Sequence, residues 1–353
     1  MIVFESRAST ILYNLLRSYP IEGPFLLPAN ICPIVPMVFY KAGRPFEFID
    51  IAHDTLCMDY AALIKRFESK LSTPAGVIYV RTYGAIVNAA HIFSSIKELS
   101  SRTIIIDDRC LCSPDFSEAL ALYTDAVLYS TGYAKYVDIG FGGYCLVRDG
   151  IPYIRTDNAF KASDLMALTE QYQDSIREKA FFAYKDSDWL NSSQPQEAWV
   201  EYREKVQQEC VLSDGIKASI NSIYVSRLPL EIQFPSTYQS WRFNIQVEEK
   251  DAVLKAIDKA GLFASGHYYS LAGLFGFAYA PNASFLHRYV IQLFNDRYFS
   301  VDQAMKLTEV LSNFKGYYCI GEQSTNPKGK GKQIQNDRYL LLLEMFVKLV
   351  LLI

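Results

Sequence analysis

Ile104-Ile105-Ile106-Asp107-Asp108, then Ala126-Val127-Leu128-Tyr129-Ser130, then Lys135 and Gly140-Phe141-Gly142-Gly143 decide how this chain is read. Both five-residue runs are almost wholly apolar until their last positions. That is the pattern of short strands buried on both faces of a parallel sheet. The first run ends in a pair of acids, and a lysine follows just beyond the second. The glycines after the lysine allow the chain a tight return.

Working outward, further strands are expected at 25–27, 46–49, 76–80, 103–106, 126–129 and 143–147. Helix-period stretches fall between them, at 9–18, 33–42, 60–70, 91–99 and 162–181, and 182–208 reads as a largely helical connector. Strands alternating with helices predict a mainly parallel α/β sheet covered on both faces. Ligands of such sheets bind at the carboxyl ends of the strands, where Asp107, Asp108 and Lys135 all fall. From 216 the pattern changes to a smaller α+β unit. Strands are expected at 241–245 and 289–294, helices at 248–260 and 300–313. The division expected is therefore 1–215 for a large domain, 216–320 for a small one, and 321–353 for a basic linker and apolar tail.

The 353 residues suffice for two domains, and half of them are hydrophobic, enough for a substantial core. A net charge of −3 without a clustered basic excess argues against a nucleic-acid partner. The seven cysteines (32, 57, 110, 112, 145, 210 and 319) are odd in number and include no CxxC pair, so they read as reduced thiols of a cytoplasmic protein. The four histidines lack metal-ligand spacing, so no metal is expected. The apolar run 338–353 is broken by Glu344 and Lys348 and falls short of the ~20 residues of a membrane-spanning helix. It reads as a terminal helix docked on the body or on a partner subunit.

An acid at one strand tip and a lysine past the next is the equipment that pyridoxal 5'-phosphate requires. The lysine holds the aldehyde covalently, and the carboxylate pairs with the ring nitrogen so that the ring withdraws electrons. Asp108 lies further past the strand than Asp107 and is the better partner for the ring. Two adjacent carboxylates resist joint ionisation unless cations stand near, a role that Arg109 can share. Ser6-Arg7-Ala8-Ser9-Thr10 opens the first helix and Ser130 ends a strand, which gives a helix start and hydroxyls for a phosphate.

The same residues resemble the sugar-nucleotide aminotransferases of the DegT/DnrJ/StrS family over most of residues 4–318. The similar blocks are Leu27-Pro28-Ala29-Asn30-Ile31-Cys32-Pro33, Ala42-Gly43-Arg44-Pro45, Tyr83-Gly84, Asp107-Asp108, and Ser130 to Gly143 around Lys135. Trp241-Arg242-Phe243-Asn244, Gly266-His267-Tyr268-Tyr269, Pro281-Asn282-Ala283 and Leu293 to Tyr298 follow in the family's order. The resemblance implies fold type I of the pyridoxal-phosphate enzymes: a mainly parallel seven-stranded sheet sandwiched by helices, plus a smaller α+β C-terminal domain. It implies that Lys135 is the cofactor lysine and Asp108 the ring-nitrogen partner. Ser130, Ala8 and Ser9 would form the phosphate cup. Cys32 would lie against the ring, and Tyr83, His267 and Tyr268 on the substrate side. It further implies a homodimer that moves an amino group from glutamate or glutamine to a keto-sugar nucleotide in polysaccharide or antigen biosynthesis. The chain departs from the family at Phe141, where a glutamate is usual, at Leu111, where a His or Gln is common, at Cys32, where an aromatic is frequent, and in lacking an Asn-x-Arg-Met segment. Another reaction of the same cofactor, or a non-catalytic scaffold or regulatory role, therefore stays open beside transamination.

Overall fold

Residues 1–312, except 118 and 277, are described by the computed structural model. The expectations for the tail and for Cys319 lie outside them. Ten strands run β1 Ile2–Glu5, β2 Phe25–Pro28, β3 Phe46–Ile49, β4 Gly76–Val80, β5 Ile104–Asp108, β6 Ala126–Ser130, β7 Gly143–Val147, β8 Phe243–Gln246, β9 Ala264–Gly266 and β10 Val290–Leu293. The helices are α1 Ala8–Ser18, α2 Ile34–Ala42, α3 Tyr60–Phe67, α4 Ala90–Leu99, α5 Ala162–Glu178, α6 Trp199–Arg227, α7 Lys250–Lys259, α8 Pro281–Tyr289 and α9 Val301–Ser312.

The first seven strands form one sheet in the order β1-β7-β6-β5-β4-β2-β3. β3, β2, β4, β5 and β6 are parallel neighbours, while β7 runs antiparallel to β6 and β1 antiparallel to β7. This is the mainly parallel seven-stranded sheet expected from the sequence. Side chains alternate across it, as a period of two demands. Phe25, Leu27, Ile78, Ile104 and Ile106 share one core with Ile11, Leu15, Val38 and Phe39 of α1 and α2. Leu26, Val77, Tyr79 and Ile105 join Leu63, Ile92, Phe93 and Ile96 of α3 and α4 on the other face. With both faces covered, nearly every position is apolar, which is why these strands were readable.

A second sheet, β8-β10-β9, is antiparallel. Its Phe243, Ile245, Ile291 and Leu293 pack with Val253, Ile257, Leu307 and Leu311 of α7 and α9. α6 joins the two sheets. Tyr202 and Val206 near its start pack with Val127, Tyr144 and Leu146 of the large sheet, whereas Ile220 and Tyr224 enter the core of the small one. Residue 215 thus lies inside one helix.

One local expectation is corrected, and two elements appear that were not foreseen. The stretch 182–208 is irregular until Trp199, because Phe182, Trp189 and Leu190 are buried one by one and Pro195 precludes an early helix start. β1 was not foreseen. Its four residues show no distinguishing alternation, and its placement depends on its distant partner β7. α8 was not foreseen either: it has a proline in its first turn, a favoured place for it, but only Ala283 and Leu286 of its residues are buried, so no apolar stripe marks it.

Candidate functional site

The carboxyl ends of β2, β4, β5 and β6 open onto one cleft. Its first part spans about 590 Å³, open solvent included, and is bordered by Arg7, Ala8, Ser9, Asp108, Ser130 and Lys135, with Cys32 also in its wall. A second part of about 500 Å³ is bordered by Cys32, Asp108 and Lys135 again, and by Tyr83, His267 and Tyr268. The structure therefore gathers Lys135, Asp108, Ser130, Ala8, Ser9, Cys32, Tyr83, His267 and Tyr268 around two adjoining cavities that share Asp108, Lys135, Cys32 and Cys110, and leaves Asp107 and Arg109 outside them.

Adjacent strand residues point to opposite faces, and this separates the two aspartates. Asp107 is fully buried and accepts from Arg81 Nε at 2.7 Å, Arg81 Nη2 at 3.0 Å and Arg109 Nε at 2.9 Å. Arg109 also donates to the Tyr129 hydroxyl at 3.3 Å. Asp107 is thus a structural anion held by two guanidiniums. Arg109 was foreseen as a compensating cation; Arg81 was not, since nothing local marks a lysine or arginine that folds back onto the next strand. Asp108 borders the cleft and accepts from the Cys110 N–H at 2.9 Å. Burial pushes its carboxyl above the usual range, against that N–H and the Lys135 charge, which favour the ion.

Lys135 sits half-buried in the β6–β7 connection, directly after Ala134, whose φ of 57° is left-handed. The turn is fixed from several sides. Asp138 accepts from the Ala134 N–H at 2.9 Å and the Gly140 N–H at 3.0 Å, and Trp241 Nε1 donates to the Ala134 carbonyl at 2.7 Å. Arg297 donates to the Asp138 carbonyl. Trp241 and Arg297 belong to the C-terminal part of the chain, so that part holds the lysine loop. Sequence alone did not give them this task.

On the far side of the cleft, α1 starts at Ala8 with no acid in its first turn. The first N–H groups of a helix have no partners within it and carry its positive end. Arg7 borders the cleft there and donates to the Gly140 carbonyl at 3.2 Å. It adds a formal charge that the sequence reading did not single out. An arginine just before a helix that lacks an early acid was the available signal. β7 comes close enough to set this helix start in place. A Cβ on Gly143 would lie 2.6 Å from Ala8 N and 2.7 Å from Ala8 Cα. Gly142, at a φ of +92°, would put one 2.5 Å from the Tyr202 ring. Gly143→Ala should therefore displace the first turn of α1, costing about 1–3 kcal/mol in thermal melts and weakening phosphate-bearing ligands. Unchanged melting would show that α1 is not seated on β7.

Tyr83 and His267 meet: the Tyr83 hydroxyl and His267 Nδ1 are 3.0 Å apart, both side chains buried. Burial, with the His287 and Lys250 charges, pulls His267 down to about 3, so its ring is neutral. Tyr268 hydrogen-bonds Cys32, and burial raises its phenol. Tyr83 itself has a φ of 55°, an uncommon value for a bulky residue that here turns the ring inward.

No family model and no curated protein matches the sequence. Solved structures do match its fold. A DegT/DnrJ/EryC1/StrS aminotransferase from Brucella abortus superposes with a TM-score of 0.59 at 14% identity, covering 88% of this chain and 85% of that one. A sugar aminotransferase from Micromonospora echinospora gives 0.59 at 14% identity, over 89% and 87%. The E. coli GDP-4-keto-6-deoxy-D-mannose-3-dehydratase, with bound hydrated pyridoxal phosphate, gives 0.56 at 13% identity, over 88% and 87%. The fold expected from the order of sequence blocks is therefore present along nearly the whole chain. This chain has the fold of the DegT/DnrJ/EryC1/StrS aminotransferases.

Proposed function

We propose that this protein is a pyridoxal-phosphate-dependent aminotransferase that passes an amino group from glutamate or glutamine to a keto-sugar nucleotide. The observation that carries this reading is the shared cleft of Lys135 and Asp108. The Asp108 carboxyl is buried and its pKa stays raised by that burial, although the Cys110 N–H and thiol and the Lys135 charge all favour the ion, so a further cationic donor in the cleft would relieve it. The cofactor's ring N–H is such a donor. The rest of the cleft fits as well, because Arg7, Ser9, Ser130 and the start of α1 offer positive charge and donors to a phosphate. Pyridoxal phosphate bound there supplies an aldehyde for amines and a ring that accepts electrons.

The chain's own residues then divide the work. Lys135 Nζ would hold the cofactor through its aldehyde and, when free, would carry a proton off and onto the substrate carbon. Asp108 would pair with the ring nitrogen and favour its protonated form. Arg7, the α1 start, Ser9 and Ser130 bind the phosphate and fix the ring's position. Cys32 lies beside both cavities as a small neighbour in place of a larger stacking side chain. Tyr83, His267 and Tyr268 line the second cavity, where the substrate would enter. We infer that the protein works as a homodimer inside the cell, in the assembly of a polysaccharide or antigen. Among the described residues no helix is long and apolar enough to cross a membrane.

The dehydratase likeness keeps a second reaction of the same cofactor in view, since one fold hosts several chemistries. One experiment tests the cofactor and then the reaction. Protein supplied with pyridoxal phosphate should gain a visible absorption band, and borohydride should fix the pyridoxyl group on Lys135. Glutamate should then bleach the band and release 2-oxoglutarate. Absence of the band, or a label on another lysine, refutes the cofactor assignment; a band indifferent to both donors refutes transamination.

A further inference from the structure

Two buried polar atoms in the second cavity have no hydrogen-bond partner in the protein: Asn30 Oδ1 and His267 Nε2. Such groups are rare in folded proteins because each forfeits its hydration. Both side chains are almost completely buried, and both line the cavity beside Lys135. Their chemical sense, donor or acceptor, follows from their other contacts.

The orientation of Asn30 is settled by Thr82. Its Nδ2 lies 3.3 Å from the Leu56 carbonyl and 3.3 Å from Thr82 Oγ1. Thr82 sends its own proton to the Leu56 carbonyl at 2.6 Å, so its oxygen can only accept from Asn30. The amide nitrogen is thereby committed, and Oδ1 remains as an acceptor.

The tautomer of His267 is settled by a longer chain. Ser265 Oγ donates to Gln292 Oε1 at 3.2 Å, which leaves the Gln292 amide nitrogen to donate to the Tyr83 oxygen. Tyr83 must then direct its proton to His267 Nδ1, 3.0 Å away. A neutral imidazole whose Nδ1 accepts carries its proton on Nε2. The groups that bear on the ring electrostatically, His287 and Lys250, oppose its protonation, as burial does.

We propose that Ser265, Gln292 and Tyr83 form a relay that fixes His267 as the Nε2–H tautomer, and that this N–H and Asn30 Oδ1 make an uncharged subsite for a carbonyl or hydroxyl oxygen of the substrate. The proposal rests on the cofactor reading of Lys135 and names what the cavity next to it selects. A carboxylate or phosphate is poorly served here. Arg81, the guanidinium in the wall, is committed to Asp107 through two nitrogens, and Lys135 is taken up by the cofactor. One donor and one acceptor match a ketone with a neighbouring hydroxyl, which is the pattern of a keto sugar. A site built on such hydrogen bonds rejects analogues that lack them.

The test uses full-length protein loaded with pyridoxal phosphate and labelled with ¹⁵N-histidine. The chain has four histidines, and His267→Gln identifies the signal of interest by its loss. The ring should show a protonated Nε2 and a bare Nδ1, unchanged from about pH 5 to about pH 8. Tyr83→Phe should abolish that preference. Calorimetry with UDP-, dTDP- and GDP-linked 4-keto-6-deoxyhexoses, without an amino donor, reads the subsite. Tyr83→Phe and His267→Phe should each lower affinity about tenfold to a hundredfold. His267→Gln, whose Nε2 reaches the same region, should stay within roughly threefold of the parent, a retention that a purely structural role would not give. A wild-type ring that titrates in the ordinary histidine range, or a Tyr83→Phe protein unchanged in both ring state and affinity, overturns the relay. Failure of the cofactor-loaded wild type to bind any of the sugars overturns the subsite and leaves the cofactor reading standing. Sugar binding by protein that takes up no cofactor upholds the subsite and refutes the cofactor reading.

Discussion

Lys135→Met should eliminate the borohydride-trapped label and lower amino transfer by about 10³–10⁴-fold, the range of a lost proton-transfer group, without unfolding the protein. The lysine is half-buried in a turn whose geometry is set by backbone contacts with Asp138 and Trp241, none of which involves its Nζ. Methionine keeps the length and apolar stem of the side chain and removes the amine. Melting temperature without cofactor should therefore move little, since substitutions that break no buried contact stay within about 0.5 kcal/mol. Pyridoxal phosphate should still bind, more weakly and reversibly, through Asp108 and the α1 start. Added methylamine should restore a visible band but not turnover at the original rate. A variant that keeps its label or its rate would move the covalent site to another lysine. One that unfolds would show Lys135 to be structural.

How much of this was legible beforehand depended on how local each signal was. β4, β5, β6 and β7 were plain in sequence because strands buried on both faces admit little but Ile, Val, Leu and Tyr. Asp108 and Lys135 stood out because they interrupt or follow those runs. Arg81 and Gln292 did not stand out. Arg81 matters through Asp107 on the neighbouring strand, and Gln292 through Tyr83, far away in the chain. Trp241 was recognised as part of a block, but its grip on the Ala134 carbonyl is a long-range contact that no window of sequence contains. The irregular stretch before α6, charged and aromatic, was read as helix, yet Phe182, Trp189 and Leu190 are each buried at a separate place without a helical period.

The substitutions at Phe141 and Leu111 also look different in three dimensions. Phe141 lies 6.1 Å from the Tyr202 ring, with Lys205 Nζ 5.0 Å above it, in the cluster that covers β7. Its work is to pack α6 onto the sheet beside Gly142 and Gly143. Leu111 packs with Tyr83 and Trp241, close to the second cavity. Both therefore support the elements that carry Lys135 and His267, and neither removes a donor from Asp108 or from the α1 start. Of the departures from the family pattern, Phe141 thus falls on a support of the cleft, whereas Leu111 forms part of the wall of the second cavity and Cys32 part of both.

The second large effect is expected at Asp108, where one substitution should move stability and function in opposite directions. Asn keeps the volume and the acceptor for the Cys110 N–H, 2.9 Å away, and removes the charge. In protein without cofactor that charge is a burden, because burial raises the carboxyl above its unfolded value. With the folded pKa above the unfolded one, the folded state binds more protons in that window, so the group lowers stability as pH rises through it. Asp108→Asn without cofactor should therefore melt no lower than the parent at neutral pH, and the parent's deficit should shrink in acid. With pyridoxal phosphate the order reverses. The parent pairs the charge with the ring N–H, whereas the variant offers no anion, so cofactor should raise the parent's melting temperature more. A loss of about 10²-fold in cofactor affinity corresponds to about 2.7 kcal/mol of lost protection, and amino transfer should fall at least as far because the ring is left unprotonated. Melting curves at several pH values, with and without cofactor, give both halves of the result. Equal protection of parent and variant would remove Asp108 from the ring nitrogen. A variant that melts lower without cofactor would make Asp108 a structural anion like Asp107.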